Sequence, residues 1–209
     1  MESDGSLLIH LGMSGRLMLQ DAADERLPHT HLVLVLDDAR ELRLVDPRRF
    51  GFASWLDSGD EATDPSLSVL GVEPLETDLA TVLPGLVGGR RAPIKALLLD
   101  QRRIAGVGNI YADEALWRAG IRPSRPAHRI SRTRLARLGD AIREVLTDAV
   151  AQGGTTIRDF ASPEGNFGYF AVALNVYGRA GSPCPACGTA LRRQTVAQRS
   201  TVWCPACQR

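Results

Sequence analysis

The sequence predicts an α+β protein of several parts: β-structure first, helices next, and a metal-held hairpin last. Three observations carry that prediction. Residues 6–56 fall into short apolar runs broken by turn residues, the pattern of strands. Beyond Pro93 the apolar positions recur with a helical period. All four cysteines lie near the C-terminal end, as Cys184-Pro185-Ala186-Cys187 and Cys204-Pro205-Ala206-Cys207. With 209 residues, 44% of them hydrophobic, the chain can bury a core as one large or two modest domains plus the hairpin.

In chain order, the first expected strand is Leu7-Leu8-Ile9-His10-Leu11, followed by a Gly12-Met13-Ser14-Gly15 break and then Arg16-Leu17-Met18-Leu19. The runs at 31–36 and 41–45 flank Asp37-Asp38-Ala39-Arg40, a hairpin turn. Phe52-Ala53-Ser54-Trp55-Leu56 adds one more strand, and the Ser/Asp/Gly/Pro-rich stretch at 57–74 reads as loop. A short apolar helix is expected over 94–100 and a turn with Gly106 and Gly108 over 101–108. Asn109 is placed to cap a second helix over 110–119, which Gly120 ends. A longer helix begins near Ser131, sets Leu135, Leu138, Ile142, Val145 and Ala149 on one face, and stops at Gly153-Gly154.

Two C-x-x-C pairs separated by sixteen residues suit a four-sulfur structural zinc, because each pair places two thiolates on one turn and the hairpin between them closes a tetrahedron. Two disulfides fit less well: cysteines three apart bridge poorly, and nothing marks the chain for export. The hairpin between the pairs carries Arg192, Arg193 and Arg199, and no acidic residue occurs from 179 to 209, so it is either a simple staple or a basic probe for nucleic acid. Net charge is only +1, but it is unevenly spread. Residues 90–143 hold thirteen Lys/Arg against four Asp/Glu, whereas residues 57–78 hold seven acidic residues and no basic one. That polarity fits a face aimed at a polyanion, and equally an ordinary solvated helix surface. Lys95 is the sole lysine. The acidic opening lacks a signal-type apolar run and no segment approaches bilayer length, so a cytoplasmic location without membrane contact is expected.

Three further segments bear on function. His10-Leu11-Gly12-Met13-Ser14-Gly15 puts a methionine at a glycine turn, and Asp46-Pro47-Arg48-Arg49-Phe50-Gly51 puts arginine and phenylalanine at a strand-end turn. Met, Arg and Phe at loop tips can wedge a duplex where a base has been extruded; singly, Met13 and Phe50 read as core side chains. Ala105-Gly106-Val107-Gly108-Asn109-Ile110 puts glycines and Asn109 at a helix start that can receive a phosphate, although Asn109 alone reads as a cap.

Together, and in this order, these segments resemble the formamidopyrimidine-DNA glycosylase/endonuclease VIII family. HLGMSG, DPRRFG, LLLDQRRIAGVGNIYADEALWRAGI, GGTTIRDF with GYF, VYGR, and CPACG with QRSTVWCPACQ carry the resemblance, which runs nearly the whole chain. It implies an incomplete N-terminal β-sandwich over 1–75, a helix–two-turn–helix DNA-binding domain over 76–175 with a lesion-closing loop at 153–169, and a zinc-ribbon finger over 176–209. It implies one structural zinc on Cys184, Cys187, Cys204 and Cys207, and a monomer acting near the bacterial nucleoid. The implied partner is double-stranded DNA holding oxidised bases or abasic sites. The implied activity is base-excision repair of oxidised purines such as 8-oxoguanine: flipping of the lesion, scission of the glycosidic bond, then strand cleavage by β,δ-elimination. By motif, Met13, Arg48 and Phe50 match residues that fill the void and pair with the estranged base. Asn109 and Arg199 match a phosphate clamp, and Lys95 and Tyr177 lie in matching segments and are assigned DNA contact.

The family's chemistry begins at an N-terminal Pro-Glu pair, whose proline amine attacks the sugar C1′ within a PELPEVE-like opening. No such segment precedes HLGMSG here, and Met1-Glu2 echoes it only superficially. No catalytic residue is therefore assigned, and a truncated copy of such a glycosylase/AP lyase, one that binds DNA but lacks the catalytic Pro-Glu pair, is expected. Exposed apolar edges such as 32–36 are expected to favour aggregation, while residues 90–209 fold and hold DNA. The alternatives are a non-catalytic damaged-DNA-binding relic, an endonuclease VIII-like pyrimidine-lesion enzyme, and an RNA-binding zinc ribbon. HLGMSG, DPRRFG and GNIYADE together weigh against the last.

Overall fold

The computed structural model describes residues 4–12, 14–152 and 174–209. The described residues fall into two compact units, those up to 68 with 149–152, and 69–148 with 174–209.

Five strands occupy the first unit: β1 (Gly5–His10), β2 (Arg16–Asp21), β3 (Thr30–Val35), β4 (Arg40–Val45) and β5 (Phe52–Asp57). They form two antiparallel sheets, β1-β5 and β2-β4-β3. Strand alternation sorts β4 into two faces. Leu42 and Leu44 share one, while the buried Glu41 and Arg43 share the other. A buried guanidinium is tolerated only when its donors are met. Arg43 donates to the Glu41 carboxylate at 2.7 Å and to the carbonyls of Asp21 and Asp24 at 3.0 Å, which wraps the 21–29 loop around it. Of the expected apolar edge, 32–34 are half-buried and Val35 is 74% exposed on a strand at the edge of its sheet.

The second unit holds α1 (Leu79–Val87), α2 (Ile94–Leu98), α3 (Asn109–Arg118), α4 (Arg132–Ala151, running past the unit's boundary) and the hairpin of β6 (Arg192–Val196) and β7 (Arg199–Trp203). The five apolar positions expected on one face of α4 are all buried. Sequence reading assigns no element over 79–87, where the structure forms α1 across Pro84. Proline inside a helix costs about 3 kcal/mol. Leu79, Leu83 and Val87 recur every four residues and are fully buried; at roughly 1.5–3 kcal/mol each their burial outweighs that cost. Asp78 caps α1 by accepting from the Thr81 amide and hydroxyl. The turn after α2 is stapled by Gln101, which accepts from the Gly106 amide at 2.8 Å and donates to the Val107 carbonyl at 3.0 Å.

Candidate nucleic-acid interface and metal centre

In the first unit, Asp46 organises the two loops expected to carry wedge residues. Its side chain is buried and accepts from the Ser14 hydroxyl at 2.7 Å, the Gly51 amide at 2.8 Å and the Arg48 amide at 3.2 Å. The Gly51 amide first, then the Ser14 hydroxyl, hold the Asp46 carboxyl down to about 2. Ser14 and the 46–51 turn are thereby tied together through one carboxylate. Gly12 reflects the same closeness: it lies at φ +63°, and a Cβ there would stand 2.6 Å from the Phe50 carbonyl carbon. The tied turn displays Phe50, 54% exposed, with the Arg48 guanidinium stacked 4.8 Å from its ring centroid. An exposed aromatic under a guanidinium offers a flat apolar face and hydrogen-bond donors on one turn, what a base stack with a gap would accept.

In the second unit the four cysteine sulfurs all lie within 4.8 Å of one another. Cys187 and Cys204 are 3.5 Å apart, and Cys184 and Cys207 4.0 Å, so each close pair takes one sulfur from each C-x-x-C turn. A tetrahedral site with Zn–S near 2.3 Å requires sulfur–sulfur edges of about 3.8 Å, and this set fits. Hydrogen bonds from Thr189 hold Cys187 down to about 6, while the neighbouring sulfurs and burial push Cys207 well above the ordinary thiol range. Crowded sulfurs that share protons in this way yield them to a divalent cation. The Trp117 indole NH of α3 lies 3.5 Å from the Cys184 sulfur, a donor outside the ligand set.

The metal-held hairpin packs on α3. Asn109 is the first residue of that helix and not its cap, which is Gly108 in extended conformation with no side-chain bond. The expected capping role is corrected: the Asn109 amide nitrogen donates across to the Ser200 carbonyl at 3.1 Å, joining the helix start to the beginning of strand β7. The turn of the hairpin is Ala197-Gln198, both at positive φ, so Arg199 opens β7 beside the tip and is exposed.

Lys95 requires a second correction. The family resemblance implies DNA contact for it, yet its side chain has no exposed surface. Its ammonium meets Asp113 at 2.6 Å and donates to the Thr201 hydroxyl at 2.7 Å. Asp113 also accepts from the Val202 amide at 3.1 Å. Burial pushes the Asp113 carboxyl up to about 6 against the pull of Lys95, and burial likewise lowers Lys95. Desolvation therefore exceeds the attraction within the pair. The pair braces α2, α3 and β7 beneath the surface where Arg199 and Asn109 lie. Next to Asp113, the buried Glu114 accepts from the amides of Asn175, Val176 and Tyr177 at 2.8–3.1 Å, which fixes the backbone of the half-buried Tyr177.

Two groups thus form among the expected residues: Arg48 with Phe50, and Asn109 with Arg199. Met13 and the 153–169 loop lie outside the described residues. Sequence reading missed Asp46, Gln101, Asp113, Glu114 and Trp117. An Asp-Pro at a strand end signals a turn organiser, and two adjacent acids among the apolar Ala112, Ala115 and Leu116 signal buried carboxylates with fixed partners.

Comparison with known proteins agrees with this architecture. Residues 1–53 match the formamidopyrimidine-DNA glycosylase N-terminal domain, 70–161 the formamidopyrimidine-DNA glycosylase H2TH domain, and 181–209 a zinc finger found in FPG and IleRS. The formamidopyrimidine-DNA glycosylase of Alkalilimnicola ehrlichii is 50% identical over 212 residues, covering 98% of this chain and 76% of that protein. That of Halorhodospira halophila is 53% identical over 204 residues, covering 97% and 74%. Among solved structures, MutM (Fpg) from Thermus thermophilus superposes with a TM-score of 0.88 at 45% identity, over 99% of this chain and 77% of that one. The Lactococcus lactis Fpg in complex with DNA containing an abasic site gives 0.90 at 32% identity, over 99% and 76%. Fold and site define a zinc-ribbon, DNA-handling protein of mixed α and β structure. The chain belongs to the formamidopyrimidine-DNA glycosylase family, and its four cysteines form the site of one structural zinc ion.

Proposed function

We propose that this chain serves the formamidopyrimidine-DNA glycosylase function, gripping double-stranded DNA at an oxidised purine or an abasic site. The observation that carries the reading is the bond from Asn109 to Ser200, which joins a helix start to a metal-held basic hairpin. A helix start and a guanidinium side by side suit consecutive phosphates. Arg48 and Phe50, with Met13, supply the wedge that occupies the space of an extruded base, and Tyr177 lines the backbone path. The Lactococcus lactis relative was solved with abasic-site DNA and, in another complex, with Fapy-dG-containing DNA, which supports this ligand class. The partition at 1–75, 76–175 and 176–209 is part of the proposal. So is a monomer in the bacterial cytoplasm: the relatives are bacterial, and no described helix is long and apolar enough to cross a membrane. The test is binding of an abasic-analogue duplex against an undamaged one. Selective binding by the native chain, weakened by Phe50→Ala, supports the reading; equal affinity for both duplexes sinks it.

A second reading, DNA binding without glycosidic scission, follows if no side-chain amine can stand in for the family's proline amine. The sole lysine is sealed in an ion pair, so its amine is not presented to a sugar. Borohydride trapping on an 8-oxoguanine duplex separates the two. A covalent adduct eliminates the second reading, and its absence alongside tight binding supports it.

A further inference from the structure

The second unit has a basic pole at the end of α3 remote from Asn109. Between Glu114 and Asp140 the sequence holds no acidic residue and seven arginines. Five of them, Arg122, Arg125, Arg129, Arg132 and Arg137, form no ion pair among the described residues; Arg118 is paired with Glu144 and Asp148, and Arg134 donates to the backbone oxygen of Arg209, the last residue, at 2.9 Å. They gather around the C-terminal end of α3 and the start of α4. Arg134 donates to the Gly120 carbonyl at 2.9 Å, Arg125 to the Arg129 carbonyl at 3.2 Å, and Arg122 stacks 4.5 Å from the centroid of Trp203. Burial, then the nearness of Arg125 and Arg137, disfavours the charge on Arg134.

This clustering is electrostatically costly in two ways. Like charges are held together, and Arg132 and Arg134 occupy the first turn of a twenty-residue helix that carries no acid there, where the macrodipole already favours anions. An anion would relieve both. The pole is also distinct from the Asn109–Arg199 grip. The ten-residue α3 separates Asn109 from Gly120 by about 15 Å, and Arg199 and Trp203 stand at opposite ends of β7, about 13 Å apart. Guanidinium forks match phosphate oxygens in pairs, so a nucleic-acid backbone is the complementary partner.

We propose that this arginine pole is a second DNA-backbone site, which lets one chain hold a second duplex segment while the Asn109–Arg199 face holds the first. The proposal rests on the DNA-binding reading above for its first duplex only. The test uses the full, zinc-loaded chain with a donor-labelled abasic-analogue duplex and an acceptor-labelled undamaged duplex at about 50 mM salt, where phosphate contacts are strong. The native chain is expected to bring the two labels into energy transfer. The variant Arg129→Gln/Arg132→Gln/Arg137→Gln is expected to abolish transfer while binding the first duplex within about twofold of native. Its melting temperature should be equal or higher, because repulsion is relieved. The variant Asn109→Ala/Arg199→Ala is expected to keep binding undamaged duplex through the pole, so failure of the first site and failure of the pole read out separately. No transfer with the native chain overturns the proposal, as does transfer that survives the triple variant or loss of first-duplex binding in step with it. Capture of poly-glutamate that duplex cannot displace also overturns it, by making the partner an acidic protein.

Discussion

Substituting Lys95 by methionine separates a buried brace from a DNA contact. Both partners of the Lys95–Asp113 pair have zero side-chain exposure at 2.6 Å, and the Asp113 carboxylate also holds the Val202 amide. Removing one member of such a pair leaves an uncompensated charge and costs about 3–5 kcal/mol. For a chain of this size that lowers the melting temperature by roughly 6–20 °C. The cost should depend on pH. Asp113 already sits at about 6, raised above its ordinary value by burial, and loss of the ammonium raises it further. An acid raised in the folded state binds a proton there that the unfolded chain does not, so stability falls as pH rises up to the folded pKa. Native and variant chains share that fall below about pH 6. Above it only Lys95→Met continues, at about 1.4 kcal/mol per pH unit. Urea unfolding of both chains at about pH 6 and about pH 8 reads the difference, which should be larger at the higher pH. Adding Asp113→Asn should recover most of the loss and flatten the pH dependence, because the amide oxygen still accepts from Val202. A cost below about 1 kcal/mol at both pH values would refute the brace. So would unchanged unfolding with weakened DNA binding, the signature of a phosphate contact.

Two further outcomes follow from the same reasoning. Asp46, depressed to about 2, contributes stability that is complete above the ordinary carboxylate range and is lost as pH falls through about 2. Asp46→Asn should abolish that acid-side loss and, by loosening the tie between Ser14 and the 46–51 turn, weaken selectivity for an abasic-analogue duplex; an unchanged acid melting profile counts against it. Trp117→Phe removes the donor to Cys184 and should weaken zinc binding by roughly 10–100-fold in competition with a chelator. Identical chelator curves for the two chains would show the indole contact to be incidental.

The cysteines, the five strands and the apolar face of α4 are legible in the sequence because each rests on local spacing: a three-residue knuckle, a two-residue alternation, a helical repeat. Arg48 and Phe50 are legible for a similar reason, since DPRRFG ends a strand and a strand-end turn displays its side chains. Reading fails where the deciding partner lies far along the chain. Lys95 looks like a surface cation because Asp113 and Thr201 stand 18 and 106 positions away. Asn109 looks like a cap because its acceptor, Ser200, is 91 positions away. The helix over Leu79–Val87 is hidden by Pro84-Gly85, whose local cost is outweighed by burial against α4, where Gly139 lets the backbone of Leu79 approach to within 2.5 Å of the position a Cβ would take.

The central claim is that the start of α3 and the zinc-held hairpin form one phosphate grip. The salt dependence of duplex binding between about 50 and 200 mM, measured for the native chain, Asn109→Ala and Arg199→Ala, tests it most directly. Arg199→Ala should reduce the slope of log K against log salt by about 0.9, one phosphate's worth of released counterions. Asn109→Ala should leave the slope unchanged and weaken binding roughly 10–100-fold, as the loss of a neutral donor to a charged oxygen does. Native affinity and native slope in both variants would contradict the claim.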